Sequence, residues 1–211
     1  MTVRLKKGQG VSLKKKENNL SMVTIGLGWD VQEEQQGAFS LGERLPDYDL
    51  DVAAFLCGSD GKVHRFGTRN GRRTLIDGDV VFYNYLRHAS GQIWLTGDNR
   101  TGSEDGDDEQ IIVKLNDLPG EYHKIVFVIS IYEGIKRNQS FENVKNAYIR
   151  AVDGNGREMI RFDLSGGTAY VNCRSMLFAE LVREGNGWNF NAIGTPSQSD
   201  TFVTFLKQYL G

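Results

Sequence analysis

The chain has 211 residues, 39% of them hydrophobic and 25% charged, and a formal net charge of −2. This length suits one domain, and the composition is that of a globular protein, which argues against a disordered or fibrous chain. The near-neutral net charge gives no indication of a strongly charged partner. Because no linker or repeat interrupts the sequence, we expect a single domain over residues 1–211.

The cysteine content and the apolar runs bear on where the protein works. Cys57 and Cys173 lie far apart in the sequence and offer neither a disulfide framework nor a paired zinc spacing. The longest strongly apolar run, residues 125–129, is far too short to cross a bilayer. We therefore expect a cytoplasmic protein with no integral membrane segment.

The N-terminal segment alternates apolar and polar residues, with Val3, Leu5, Val11 and Leu13 as the apolar members. This pattern, flanked by lysines, predicts an edge hairpin whose charges face solvent. No aromatic residue interleaves with the basic ones, so the segment lacks the stacking platform of single-strand binders. We expect no nucleic-acid partner.

Period-two alternation continues along the chain and predicts strands with one buried face. The alternating segments are 23–29, 111–115, 160–164 and 188–192. Turn pairs such as Asn70-Gly71 and Asn155-Gly156 separate them, and glycine permits the positive φ of tight turns, so we expect hairpins between most neighbouring strands. Residues 125–129 are apolar at every position, which is typical of a central strand covered on both faces.

Only the C-terminal segment has convincing helical periodicity. Its apolar residues follow the i, i+3, i+4, i+7, i+8 pattern and are Phe202, Phe205, Leu206, Tyr209 and Leu210. A shorter helical turn is also expected at 140–145. The predicted fold is all-β, a two-layer β-sandwich with hairpin connections and a C-terminal helix.

The chemistry is concentrated in residues 97–109, which hold six carboxylates and one arginine. Two carboxylates about 4 Å apart repel by about 4 kcal/mol at an effective dielectric near 20, so a compact loop favours a bound cation. Calcium takes roughly 6 to 8 oxygen ligands, which this loop supplies. The pattern is not an EF-hand. Magnesium or manganese, and a solvated loop without any ion, remain open alternatives.

A second acidic element, Asp49-Leu50-Asp51, opens an apolar strand. Strand alternation places both aspartates on one face and Leu50 on the other. Such a pair at a strand end suits metal ligation, although an ordinary polar strand start is the alternative. Asp30 also ends an apolar strand, where a turn-forming role is expected. We predict that the two acidic elements form one calcium site.

Several segments together resemble the TerD family of tellurium-resistance proteins. They are Gly26-Leu27-Gly28-Trp29-Asp30, Asp49-Leu50-Asp51, Val81-Phe82-Tyr83-Asn84 and the acidic residues 97–109. The resemblance implies a cytoplasmic, calcium-binding β-sandwich linked to tellurite, phage and colicin resistance, with other proteins of a tellurium-resistance system as partners. The sequence departs from the family pattern at 42–46 and in the arginine-rich segment 64–77, which leaves the partner's identity open.

The resemblance also implies a set of calcium ligands. The matching positions are Asp49, Asp51, Asp98, Asn99, Asp107, Asp108 and Glu109. Further candidates are Asp30, Thr101 and Glu104.

Three functions are compatible with this sequence pattern. The leading hypothesis is a non-enzymatic calcium-binding stress protein that acts by recognising other proteins. A calcium-dependent, C2-like membrane-binding module is the first rival. Protruding apolar residues beside the site would favour it, but residues 97–109 contain none. A metal-dependent hydrolase is the second, since carboxylate clusters also hold catalytic metals, but no base or nucleophile accompanies this cluster. The scattered His64, His88 and His123 are expected to be structural or surface residues.

Overall fold

The computed structural model describes residues 2–14, 16–30, 48–96, 107–163 and 170–211, except the side chains of Asp30 and Lys145. Strands make up most of the regular structure in these ranges. They are β1 (Val3–Leu5), β2 (Gly10–Leu13), β3 (Val23–Asp30), β4 (Leu50–Cys57), β5 (Gly67–Arg69), β6 (Arg72–Thr74), β7 (Val80–Val81), β8 (Ile93–Leu95), β9 (Glu109–Val113), β10 (Lys124–Ile131), β11 (Lys145–Val152), β12 (Glu158–Asp163), β13 (Ser175–Glu184) and β14 (Gly187–Ser197).

Helical structure is short. A 3₁₀-helix occupies Phe141–Asn143, where the sequence predicted a helical turn. The C-terminal helix α1 covers Val203–Leu206 and continues as a 3₁₀-turn over Lys207–Tyr209. No helix within the described ranges is long and apolar enough to span a bilayer.

Two six-stranded sheets form the predicted sandwich. Sheet A has the strand order β1-β12-β11-β3-β9-β8, and sheet B has the order β2-β14-β13-β10-β4-β7. Strands β5 and β6 form a separate two-stranded hairpin around Asn70 and Gly71, both at positive φ. The all-β class, the two layers and the short C-terminal helix are therefore confirmed.

Hairpin connections are present, but they join fewer neighbours than the sequence predicted. The antiparallel pairs β5–β6, β8–β9, β11–β12 and β13–β14 are successive along the chain. Elsewhere the chain changes sheet, as it does from β3 to β4 and from β9 to β10. A turn pair marks where a chain reverses, but it does not determine which sheet the next strand joins.

The predicted N-terminal edge hairpin is wrong. Strand β1 pairs in parallel with β12 in sheet A, whereas β2 pairs antiparallel with β14 in sheet B. Leu5 and Leu13 are both buried, so each strand contributes its apolar residue to the core from a different sheet. Gly8, at φ +80°, lies in the turn between the two strands.

The central-strand prediction for 125–129 is confirmed, and both faces of β10 are covered. Ile125, Phe127 and Ile129 lie in the main core between the sheets. Val126 and Val128 lie in a second apolar cluster on the outer face of sheet B, where the C-terminal helix packs with Phe202, Phe205 and Leu206. Both cysteines are buried thiols.

Candidate metal site

The structure places the described candidate ligands at the ends of strands. Asp49 and Asp51 lie at the start of β4, and Asp107 and Asp108 lead directly into Glu109, the first residue of β9. The other proposed ligands lie outside the described residues. These are Asp98, Asn99, Thr101, Glu104 and the side chain of Asp30.

Glu109 joins the two acidic elements. Alternation along β9 directs its side chain inward with Ile111 and Val113, and it is only 2% exposed. Its Oε2 accepts a hydrogen bond of 2.7 Å from the backbone N–H of Val52, the residue after Asp51. Since β9 belongs to sheet A and β4 to sheet B, this hydrogen bond crosses the sandwich. It connects the end of the acidic segment, residues 97–109, to the strand that begins with Asp-Leu-Asp.

Asp108 fixes the same segment to β3. Its Oδ2 accepts a hydrogen bond of 2.9 Å from the backbone N–H of Trp29, and its own N–H donates to the carbonyl of Leu27 at 2.8 Å. A buried carboxylate is costly unless it is hydrogen-bonded or paired with a cation, and backbone donors to a carboxylate make strong hydrogen bonds. Asp108 therefore holds the start of β9 in place as well as carrying charge.

Asp107 is paired with an arginine. Its side chain is 2% exposed, and Oδ1 lies 2.7 Å from Nε of Arg150. The hydroxyl of Tyr148 donates to the same oxygen at 3.3 Å, and the amide of Gln110 donates to Oδ2 at 3.4 Å. This pairing was not predicted, because Arg150 lies on β11, far along the chain.

The Asp-Leu-Asp element follows the predicted alternation. Leu50 is fully buried in the main core, whereas Asp51 is half-buried on the opposite face of β4, opposite Ser130 of β10. The backbone carbonyl of Asp49 accepts a hydrogen bond of 2.8 Å from Tyr132. Burial, together with the charge of Asp51 and the neighbouring Tyr132, raises the pKa of Tyr83 above its ordinary value.

The side chains of four residues offer only oxygen atoms as ligands, which suits a hard cation such as calcium; these residues are Asp49, Asp51, Asp108 and Glu109. Within the described ranges, however, no group of three or more His, Cys, Asp or Glu side chains is arranged to hold a metal ion. A calcium shell built on these residues therefore needs further oxygen ligands.

A buried polar network lies outside this site and was not predicted. Asp79 and His88 are both buried, and Oδ1 of Asp79 lies 3.1 Å from Nε2 of His88 and accepts the Tyr122 hydroxyl at 2.9 Å. Nδ1 of His88 accepts the backbone N–H of Ser90 at 3.1 Å, which leaves Nε2–H to donate to Asp79. In the sequence, Asp79 directly follows an Asp-Gly turn pair and looks like an ordinary turn residue.

The comparisons with known proteins agree with the resemblance. The family described as the TerD domain matches residues 1–209. The tellurium resistance protein TerX of Serratia marcescens is 60% identical over 100% of both chains. The tellurium resistance protein TerD of an Alcaligenes species is 41% identical over 92% of this chain and 90% of that protein. The stress response protein SCP2 of Bacillus subtilis is 34% identical over 100% of both chains.

A solved structure supports the architecture. The crystal structure of a homologue of the telluride resistance protein TerD from Streptomyces coelicolor A3(2) superposes with a TM-score of 0.63. The match covers 89% of this chain and 96% of that chain at 20% identity, so it bears on the fold alone. From the family match and the sequence relatives, the chain belongs to the TerD domain family.

Proposed function

We propose that this chain is a non-enzymatic, calcium-binding stress protein that acts in the cytoplasm. Its role would be in resistance to tellurite, phage and colicins, through recognition of other proteins of a tellurium-resistance system. The relatives described above support the resistance and stress part of this proposal, since they are named for tellurium resistance or stress response. Calcium would set the geometry of the acidic segment that a partner recognises.

The hydrogen bond from Val52 to Glu109 carries the calcium proposal. It joins the last carboxylate of the acidic segment to the strand that begins with Asp49 and Asp51, although the two lie far apart in sequence. Carboxylates gathered at one end of a sandwich repel one another unless a cation compensates them. A shell of carboxylate and other oxygens is the one that calcium prefers.

The proposal predicts that calcium stabilises the fold and that Asp51 contributes to the effect. An ion in about hundredfold excess over its Kd adds about 2.7 kcal/mol to the free energy of unfolding. Thermal melts in calcium and in chelator should differ for the parent protein, and Asp51→Asn should reduce that difference because it removes one ligand charge with almost no change in shape.

Asp60→Asn is the matched control, because Asp60 lies in an exposed turn and pairs with His64. It should keep the calcium-dependent shift of the parent. Coincident parent melts in calcium and chelator would overturn the calcium proposal. If calcium stabilises the parent and both variants show the same calcium-dependent shift, Asp51 is an ordinary strand-start residue and the site is confined to the acidic segment.

One observation favours a second function, the calcium-dependent membrane-binding module. Tyr83, Tyr132 and Ile135 are exposed large apolar residues, Ile135 by 59%, and Tyr132 lies directly beside Asp49. Tyrosine suits a membrane interface because one end of its ring is apolar and the other polar. Sedimentation with phosphatidylserine vesicles separates the two functions. Protein recognition predicts that the chain stays in the supernatant with calcium, whereas calcium-dependent sedimentation that Ile135→Ser abolishes supports the membrane module.

A further inference from the structure

Two glycines of β3 leave room for side chains on the outer face of sheet A. Gly26 and Gly28 alternate with Ile25, Leu27 and Trp29, which are buried in the main core. A Cβ atom at Gly26 would overlap the carboxylate of Asp107, and one at Gly28 would overlap the ring of Tyr148. Glycine within a strand often marks such a close approach by another group.

The space above Gly26 is a polar cradle for one carboxylate. We use the term Asp107 cradle for Gly26, Gly28, Tyr148 and Arg150. Arg150 and Tyr148 both contact Oδ1 of Asp107, as described above. The guanidinium carbon of Arg161 lies 3.7 Å from the centroid of the Tyr148 ring, and this stacking fixes the ring over Gly28.

We propose that the cradle anchors the acidic segment, and that Asp107 is a positioning residue and not a calcium ligand. This inference rests on the proposed calcium function. A cation that used Asp107 would meet a carboxylate whose side chain is 2% exposed and whose charge the Arg150 guanidinium already compensates at Oδ1. With Asp107 held, the described residues Asp107 to Glu109 are already in place before an ion binds, which lowers the entropic cost of binding.

The two roles of Asp107 predict changes of opposite sign. If Asp107 were a ligand, Arg150 would compete with calcium for it, and Arg150→Gln would raise calcium affinity. If Asp107 is an anchor, the same substitution releases the segment and lowers the affinity. Gly26→Ala provides a test without any change of charge, because its methyl group expels the carboxylate from the cradle.

The experiment is a calorimetric calcium titration of the intact chain and its variants. Arg150→Gln and Gly26→Ala should each weaken binding by about tenfold, at the lower end of what supporting residues of metal sites contribute. Glu158→Gln is the control, because Glu158 is the other carboxylate near Arg150, at 3.5 Å, and its loss leaves the Asp107 pair in place. It should bind calcium as the parent does. Tighter or unchanged binding by Arg150→Gln would overturn the anchor.

A second measurement separates this inference from the proposed function. If the parent binds no calcium, the proposed function fails. The role of Asp107 as an anchor is then tested by a double-mutant cycle of Arg150→Gln and Asp107→Asn, in which the free energy of unfolding is measured in chelator. Because both substitutions break the same contact, the anchor predicts that the double variant loses less unfolding free energy than the two single losses added together. Additive losses would overturn it, and this arm does not depend on Gly26→Ala folding.

Discussion

Among single residues, Asp79 is a charged residue that the fold buries and surrounds with hydrogen-bond donors. Burial opposes ionisation of its carboxyl, but hydrogen bonds from His88, Tyr122 and the backbone N–H of Arg65 outweigh burial and hold its pKa below the ordinary value. A carboxyl whose pKa is lowered in the folded state stabilises that state above its unfolded pKa, about 3.9. This contribution is lost as the pH falls below about 4 toward the folded pKa.

Asp79→Asn should lower the free energy of unfolding at pH 7 by about 1–3 kcal/mol, the usual cost of an unsatisfied buried polar group. The reason is that three donors point at Asp79, whereas an asparagine amide presents only one acceptor oxygen. Urea denaturation measures the loss, and the decrease in stability below about pH 4 should be shallower in the variant. Asp60→Asn is the control, since Asp60 makes the same contact to a histidine, His64, at an exposed site. An equal loss in both variants would contradict the role given to burial.

Part of the candidate site could be predicted residue by residue. Alternation placed Leu50 in the core and Asp51 on the opposite face because it is a local property of a strand. The partners of Asp107 and Glu109 could not be predicted, because Arg150 and Val52 reach them only through the pairing of strands distant in sequence. A weak signal did exist: two glycines at alternate positions of β3 indicate that another group lies over that strand.

At the scale of elements, the C-terminal helix depends on tertiary packing. The α-helical part, Val203–Leu206, is much shorter than the apolar pattern, and an isolated helix of that length is unstable in water. Phe202 packs its ring 5.4 Å from that of Phe82 and 6.0 Å from that of Phe55, on the outer face of sheet B. The apolar spacing predicted that a helix exists, but not which face of which sheet it covers.

Phe202→Ala should therefore destabilise the protein strongly. Removing a buried phenylalanine costs about 3–5 kcal/mol, through lost apolar burial and the cavity left behind. Val203→Ala is the matched control in the same helix, because Val203 is 37% exposed and should change stability by less than about 0.5 kcal/mol. Urea denaturation of both variants checks the difference. Similar small losses would mean that the helix contributes little to the fold.

For the strands as well, local sequence predicted which face is buried but not which strand is the pairing partner. The inward residues of β3, β9 and β14 were correctly predicted because the period of two reports which face is buried. In β1 and β2 the same pattern was right for Leu5 and Leu13, but Val3 is 40% exposed and the predicted pairing was wrong. Burial of one face is compatible with either sheet, so periodicity alone does not assign a strand to its sheet.

In the whole molecule, the sandwich brings Asp107 to Glu109, the described end of the acidic segment, to the strand that begins with Asp-Leu-Asp. Glu109 makes this junction between the sheets, and Asp108 ties it to β3. A glycine-containing loop with many carboxylates suits the flexible, high coordination number of calcium better than the strict octahedron of magnesium. We therefore expect calcium to remain bound in a modest excess of magnesium. Stoichiometric displacement by that excess in a competition titration would contradict this selectivity and restore a catalytic magnesium site as an alternative.

A calorimetric titration of the metal-depleted protein with calcium determines whether the intact chain binds this ion. We expect a saturable isotherm for the parent, with weaker binding by Asp51→Asn and unchanged binding by Asp60→Asn. A parent isotherm that does not differ from the dilution of calcium into buffer would mean that the chain is not a calcium-binding protein.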